Sequence, residues 1–402
     1  MREREICLCP CLGDAHYRSD EVEKIKANLA SFIIRKTIEL KKTRLDLMGC
    51  SIRTSPFSSI ARENELLMNI LYLDLSKNSL FHLEHLISDL SILKQLKKLN
   101  LSKNHLSGKI SENVKAFTEL EEICLDHNNI LELHSNCRYW TKVKHFSATH
   151  NELKSIPEDF DSWKQIETFN LSNNQLDFVP ACISKWQKLK KIFLRCNKLK
   201  TIPNAFGNML SLEEIDMKSN QLQFIPDTLE NCSELTYLNV GDNKINKLPN
   251  MGKWTNLKEL QIYRNKMKDV PESLKVFTYL KRFSISNNQI KTVPIEIGEL
   301  ICLEELYLNY NLLLSTIPHS IGKLKCLREL SIRGCSRVKS LPLSLAKCCK
   351  LKELDLRSCA KKETCKLQAE LIEELYKINC KIRGGIQKNT KKRCKNKKKS
   401  KN

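Results

Sequence analysis

The sequence predicts an α/β solenoid, a single right-handed arc with a parallel sheet lining its concave side. Three observations carry this expectation. An LxxLxLxxNxL pattern places Asn in one slot at positions 78, 104, 128, 151, 174, 197, 220, 243, 265, 288 and 311, with Cys50, Cys335 and Cys359 filling it elsewhere. From Asn128 to Asn311 the step is 23 residues, except one of 22 between Asn243 and Asn265. Nine of the eleven prolines (157, 180, 203, 226, 249, 271, 294, 318 and 342) occupy one further slot. A fixed period of this length marks a stacked repeat array.

Each element of the repeat has a physical role. In Leu189-Lys-Lys-Ile192-Phe-Leu194, residues 192 and 194 alternate inward as in a strand. The slot Asn lies where the strand turns away, and its amide can serve main-chain groups that the turn leaves unpaired. Losing one is expected to cost roughly 1–3 kcal/mol. Cys fills the space but bonds weakly, and it takes the slot only in the first and the last two units. The Leu-Pro or Ile-Pro step then returns the chain over the far side, so the prolines are punctuation and not a proline-rich ligand. Trp140, Trp163, Trp186 and Trp254 each precede the first apolar strand position by three residues, and Phe117 and Phe277 hold the same place. They are expected in the convex-side core.

A solenoid exposes its core at both ends and needs caps. The expected organisation is a flexible segment over 1–19, a capping helix over 20–40, about fourteen units over 41–362, a second capping helix over 363–380, and a disordered basic tail over 381–402. Asp20 and Glu23 form a capping-box-like start, followed by Val22, Ile25, Leu29, Phe32 and Ile33 at helical spacing. Leu367, Leu371, Leu375 and Ile378 share one face of the second helix. The tail holds eleven Lys or Arg and no acid, which is half of the net +22. Its core is Lys391, Lys392, Arg393, Lys395, Lys397, Lys398 and Lys399. A nuclear localisation signal, a nucleic-acid-binding tail, an anionic-membrane tether and a plain solubilising tail all remain open for it.

The eighteen cysteines, without a secretory signal, favour a reducing compartment over a disulfide framework. Most fall at apolar or slot positions. Cys7, Cys9 and Cys11 do not, and a metal site, acylation or an untethered thiol-bearing tail are each compatible with them. No apolar stretch reaches the roughly 18 residues that a spanning helix needs, so no transmembrane segment is expected. The expected location is intracellular, cytoplasm or nucleus.

With the Asn slot, the 23-residue period and the IPxxL return in place, the chain resembles the Ras-group intracellular leucine-rich-repeat proteins over about residues 41–360, best over 151–345. These include the suppressor-of-clear Ras scaffold of animals and the plant intracellular Ras-group repeats. Similar repeats occur in phosphatase regulatory subunits, epithelial-polarity scaffolds and plant immune receptors, and the two last units, with Cys335 and Cys359 in the slot, look like those of the immune receptors. The resemblance implies a non-catalytic scaffold, with a Ras-type small GTPase as leading partner. It transfers structural positions only, and no binding residue.

Nothing in the chain matches GxxxxGK[ST], GxSxG or HExxH, and glycine is scarce at eleven, so no enzyme activity, cofactor or metal is expected. Cys124, His127, His145, Ser147 and His150 should share the concave face, with His127 and His150 in one column able to share a proton or a metal; plain surface histidines are the simpler reading. Near the strand starts, Lys97-Lys98, Glu121-Glu122, Lys144-His145, Glu167-Thr168, Lys190-Lys191 and Glu213-Glu214 alternate in sign, and the pattern returns as Lys281-Arg282 and Glu304-Glu305. This predicts a structural charge ladder and a face that is not a uniform basic track for duplexes.

The later strand positions carry Phe193, Arg195, Lys218, Tyr237, Tyr263, Arg264, Tyr307, Tyr310, Arg333 and Arg357. Tyr and Arg are the types enriched at interface hot spots, which makes these the candidate partner-binding residues. Two other functions compete with a GTPase scaffold. One is a nuclear or ribonucleoprotein-associated factor using the basic tail. The other is a regulatory or targeting subunit of a phosphatase or ubiquitin ligase.

Overall fold

The structure, a computed structural model, describes residues 19–57, 65–359 and 369–384. Fifteen three-residue strands stack in chain order into one open parallel sheet. The register never slips: Ile192 pairs with Ile215, Ile215 with Leu238, and Leu238 with Leu260. Every strand of the sheet but the last buries its central residue, because the apolar positions of the alternation all point into one core; Ile382 of the last strand is half-buried.

The Asn slot forms a ladder that joins the units. Asn197 Nδ2 donates to Leu194 O at 3.0 Å in its own unit and to Leu171 O at 2.9 Å in the unit before. Its Oδ1 accepts from Leu176 N at 3.0 Å. The same pattern recurs at Asn78 and at Asn311. The residue just before the slot is left-handed in each unit. Twelve of these residues are not glycine, with φ between 51° and 59°.

Cys replaces Asn where the need is smaller. Cys335 Sγ donates to Leu308 O at 3.2 Å and Cys359 Sγ to Ile332 O at 3.1 Å, but neither accepts from the preceding unit. The steps into these two units are 24 residues long. The preceding loops use the extra residue to close on themselves, with Leu314 N donating to Asn311 O and Val338 N to Cys335 O.

On the convex side, eight of the nine slot prolines are N-caps of five-residue 3₁₀ turns, such as Asn204–Asn208 after Pro203. Pro249 is the exception: its unit is the one shortened to 22 residues, and residues 250–254 form no 3₁₀ turn. The four Trp side chains are fully buried there. Each indole N–H donates to a carbonyl of the previous unit, as Trp186 Nε1 does to Phe160 O at 2.7 Å. Trp140, Trp163 and Trp186 stack at 6.0 Å.

The ends depart from expectation in three places. Helix α1, Ser19–Glu39, buries Ala30, Ile34 and Thr37 against the first strand, whereas Phe32, expected on the inner face, is 49 % exposed. The long second unit holds an unexpected helix α2, Leu83–Leu90, with Leu83, Leu86, Ile87 and Leu90 buried. At the other end, helix α3, Ala369–Lys377, buries Leu371 and Leu375 and packs on the last 3₁₀ turn. A further strand, Lys381–Arg383, then pairs with Glu353–Asp355. The segment assigned to the basic tail therefore begins inside the sheet. Lys-Ile-Arg alternates as a strand does, and Arg383 Nε meets Glu353 Oε1 at 2.6 Å. Residues 391–399 and Cys7, Cys9 and Cys11 lie outside the described residues.

Candidate protein-binding face

The concave sheet presents two kinds of column. At the strand starts the cations are largely neutralised by lateral carboxylates. Lys98 meets Glu122 at 2.7 Å, Lys144 meets Glu121 at 2.8 Å, Lys190 meets Glu167 at 3.4 Å and Lys191 meets Glu214 at 2.8 Å. Arg282 bridges Glu259 and Glu305 at 3.3 and 2.6 Å. Opposite signs one strand apart hold register at little energetic gain, since exposed pairs are worth about 0.2–1 kcal/mol.

At the strand ends the pattern inverts. Arg195, Lys218, Arg264 and Arg333 have no carboxylate within ion-pair distance among the described residues. The acids beside these columns are turned to internal partners. Asp216 accepts from Lys218 N at 3.0 Å, and Asp242 from Ser219 Oγ at 2.9 Å. Asp355 is committed to Arg357, whose Nε and Nη2 reach it at 2.9 and 2.7 Å.

The ten sequence candidates divide accordingly. Arg195, Arg264, Tyr310 and Arg357 are exposed, whereas Phe193, Lys218, Tyr237, Tyr263, Tyr307 and Arg333 are half-buried. Tyr307 is anchored, its hydroxyl donating to Glu305 and Glu329 at 2.9 and 3.0 Å. Burial and then those two carboxylates push its pKa up. Burial likewise pushes Tyr237 up to about 12.

Tyr263 and Tyr310 are seated by glycines that sequence reasoning missed. A Cβ on Gly241 would lie 2.6 Å from the Tyr263 ring, and one on Gly334 would lie 2.4 Å from that of Tyr310. Each ring carries a cation: Lys218 Nζ is 5.6 Å from the Tyr263 centroid, and the Arg333 guanidinium is 5.6 Å from that of Tyr310. The Tyr263 hydroxyl beside Lys218 also holds that ammonium pKa above its usual value. The two tyrosines lean in opposite directions, and between them lies a floor of Ser284 and Ser286. Ser286 is 6 % exposed, and its hydroxyl has no partner. The signal for the seats was a glycine in a strand-end column next to an aromatic one, visible only once register is known.

His127 and His150 stack at 4.1 Å with their planes 13° apart, so the expected juxtaposition is present. Burial, the His127 ring and Arg195 hold His150 below the usual imidazole value. Asp126 faces this pair but accepts from Ser147 Oγ and Thr149 N, both at 2.6 Å. Among the described residues no three His, Cys, Asp or Glu groups converge as a metal site, and no helix is long and apolar enough to cross a membrane.

Two family models match, both described as leucine-rich repeat, one over residues 187–245 and the other over 95–117 and 302–324. No curated protein matches the chain. Among solved structures, a leucine-rich-repeat protein of Leptospira interrogans is 24 % identical with a TM-score of 0.70, over 87 % of this chain and 98 % of that one. The plant peptide hormone receptor RGFR1, in complex with RGF2, is 23 % identical with a TM-score of 0.61, over 79 % of this chain and 59 % of that one. The Toll–Spatzle complex of Drosophila gives 22 % identity and a TM-score of 0.62, over 73 % and 42 %. At these identities the likeness establishes the fold. The repeat ladder, the family models and the solved neighbours together make this chain a leucine-rich-repeat protein, built as an open solenoid with one parallel sheet.

Proposed function

We propose that the protein is a non-catalytic scaffold whose concave face, from the Asn197 to the Cys359 unit, docks a protein partner. The observation that carries this reading is the contrast between the columns. Flank charges are neutralised internally, while Arg195, Lys218, Arg264 and Arg333 have no carboxylate partner among the described residues, and Lys218 and Arg333 lie against two tyrosines fixed by glycine seats. Rigid aromatic area next to unspent charge is what an interface anchor needs. The solved neighbours in complexes, RGFR1 with RGF2 and Toll with Spatzle, support protein binding as a use of this fold.

A Ras-type small GTPase in intracellular signalling is the finer proposal, and it rests on the resemblance of the period and the IPxxL return. An intracellular setting, cytoplasm or nucleus, is supported by the cysteines. Cys232, Cys335, Cys348 and Cys359 each donate S–H to a main-chain carbonyl, a role an oxidised sulfur cannot fill.

The test compares proteins that co-purify with the full chain, with a chain ended after Gly384, and with a Tyr263→Ala, Arg264→Ala, Tyr307→Ala, Tyr310→Ala variant. Lysates are loaded with GDP or a non-hydrolysable GTP analogue. Ending the chain after residue 380 would remove the last strand, so Gly384 is the correct boundary. A partner favoured by the GTP analogue and lost only in the quadruple variant supports the scaffold. Partners lost only on truncation, and released by nuclease, would sink it in favour of a nucleic-acid-binding tail. A phosphatase or ubiquitin ligase held equally in both nucleotide states would keep the scaffold and replace the GTPase.

A further inference from the structure

Arg195, Arg264 and Arg333 recur at intervals of three strands along the concave sheet. Strands lie about 4.8 Å apart, so each interval is about 14 Å, the reach of about four extended residues. All three lack a carboxylate partner among the described residues, while the nearby acids Asp216, Asp242 and Asp355 are occupied internally by Lys218 N, Ser219 Oγ and Arg357. The middle arginine borders the floor where the Ser286 hydroxyl has no partner.

We propose, resting on the scaffold reading above, that this row receives an extended acidic segment of the partner protein, with carboxylates about four residues apart. Each carboxylate meets one arginine, and the segment runs across the strands past the seated rings of Tyr263 and Tyr310. Alternate residues of an extended chain face one way, so a spacing of four keeps all three carboxylates on the sheet side. A nucleic-acid backbone fits less well. A continuous polyanion needs a continuous basic track, and the strand-start cations beside the row are already paired, Lys191 with Glu214 and Arg282 with Glu305.

The test uses the full chain and a fluorescein-labelled nine-residue peptide with Glu at positions 1, 5 and 9 and Ser elsewhere, read by anisotropy at low salt. Two control peptides carry Gln at those positions, or Glu at positions 1, 2 and 3. The expected result is that the spaced Glu peptide binds best. Arg264→Gln with Arg333→Gln should weaken it about tenfold, and Lys98→Gln, at a neutralised flank position, should leave it unchanged. Equal binding of the two Glu peptides would overturn the proposal, because the basic tail attracts charge without regard to spacing. So would an unaffected double variant, no binding, or an oligothymidine probe that outcompetes the peptide. If the quadruple variant above loses its partner while Arg264→Gln with Arg333→Gln retains it, the docking face stands and the acidic occupant falls.

Discussion

Replacing Asn174 by Ala tests what holds the arc together. Asn174 is 8 % exposed. Its Nδ2 donates to Ala148 O at 2.9 Å and Leu171 O at 3.1 Å, and its Oδ1 accepts from Leu153 N at 3.0 Å. The losses are unequal. Ala148 O still receives Asn151 Nδ2, and Leu171 O still receives Asn197 Nδ2. Leu153 N has no other partner and becomes a buried orphan. One orphan N–H costs about 1–3 kcal/mol and two further hydrogen bonds about 1 kcal/mol together or somewhat more, giving about 2–5 kcal/mol for Asn174→Ala. Asn174→Cys should recover the bond to Ala148 O, as Cys335 does with Leu308 O, and cost about 1–3 kcal/mol, because this unit lacks the self-closing loop that precedes Cys335. Urea unfolding, followed by fluorescence of the Trp140–Trp163–Trp186 stack and by far-ultraviolet circular dichroism, measures both. Two probes are needed because long arrays can unfold in parts. A silent Ala variant, or a Cys variant as damaging as Ala, would refute the hydrogen-bond account.

Three further outcomes follow from the same geometry. Trp186→Phe keeps most of the apolar volume but removes the indole bond to Phe160 O, which still accepts from Trp163 N at 3.2 Å, so urea titration should report a loss of only about 0.5–1.5 kcal/mol. Iodoacetamide at neutral pH, followed by peptide mass spectrometry, should, among the described cysteines, label exposed Cys196 and Cys349 first and spare Cys232 and Cys335; burial covers the latter two and pushes both thiols up to about 12. The Arg357 hydrogen bonds hold the Asp355 carboxyl below its ordinary 3.8 despite burial. Its contribution is therefore complete above that value and lost as pH falls through the lower folded value, so urea midpoints below about pH 4 should fall more steeply for the native chain than for Asp355→Asn.

The repeat was legible because its chemistry is local to one unit. Leu, Asn and Pro at fixed offsets specify the strand, the ladder and the return without knowledge of any neighbour. The flank ladder was nearly as plain, since a regular stack turns a period of 23 into a lateral pairing rule: Lys191 and Glu214 are one period apart and meet. What escaped depends on lateral contacts at irregular offsets. Gly241 supports Tyr263, and Gly334 supports Tyr310, across a step that composition does not mark. The strand Lys381–Arg383 was hidden inside a charge run, and α2 inside a loosely spaced unit. Phe32 was assigned inward by hydrophobicity, but the helix presents Ala30, Ile34 and Thr37 to the first strand, small or branched residues that allow close approach.

The left-handed position before the Asn slot bears on the strand-end residues. Asn, Asp and Gly take that conformation most readily, and other side chains adopt it at a cost of about 1–2 kcal/mol. Asn173, Asp242, Asn287 and Gly334 are the inexpensive choices at this place. Arg264 at φ 51° and Tyr310 at φ 56° are not. Neither residue is needed by the core, since both are exposed, and the ladder below them is formed by the slot Asn alone. Nine units carry a residue other than Asn, Asp or Gly at this position, Lys77, Lys103, His127 and His150 among them, and Arg264 and Tyr310 are two of the nine. Gly334, at the same position one unit on, leaves the space in which the Tyr310 ring lies flat beneath Arg333. Because the same left-handed cost is borne at Lys77, Lys103 and Ser358, the strain belongs to the turn of the repeat, and what sets Tyr310 apart is its seat against Gly334.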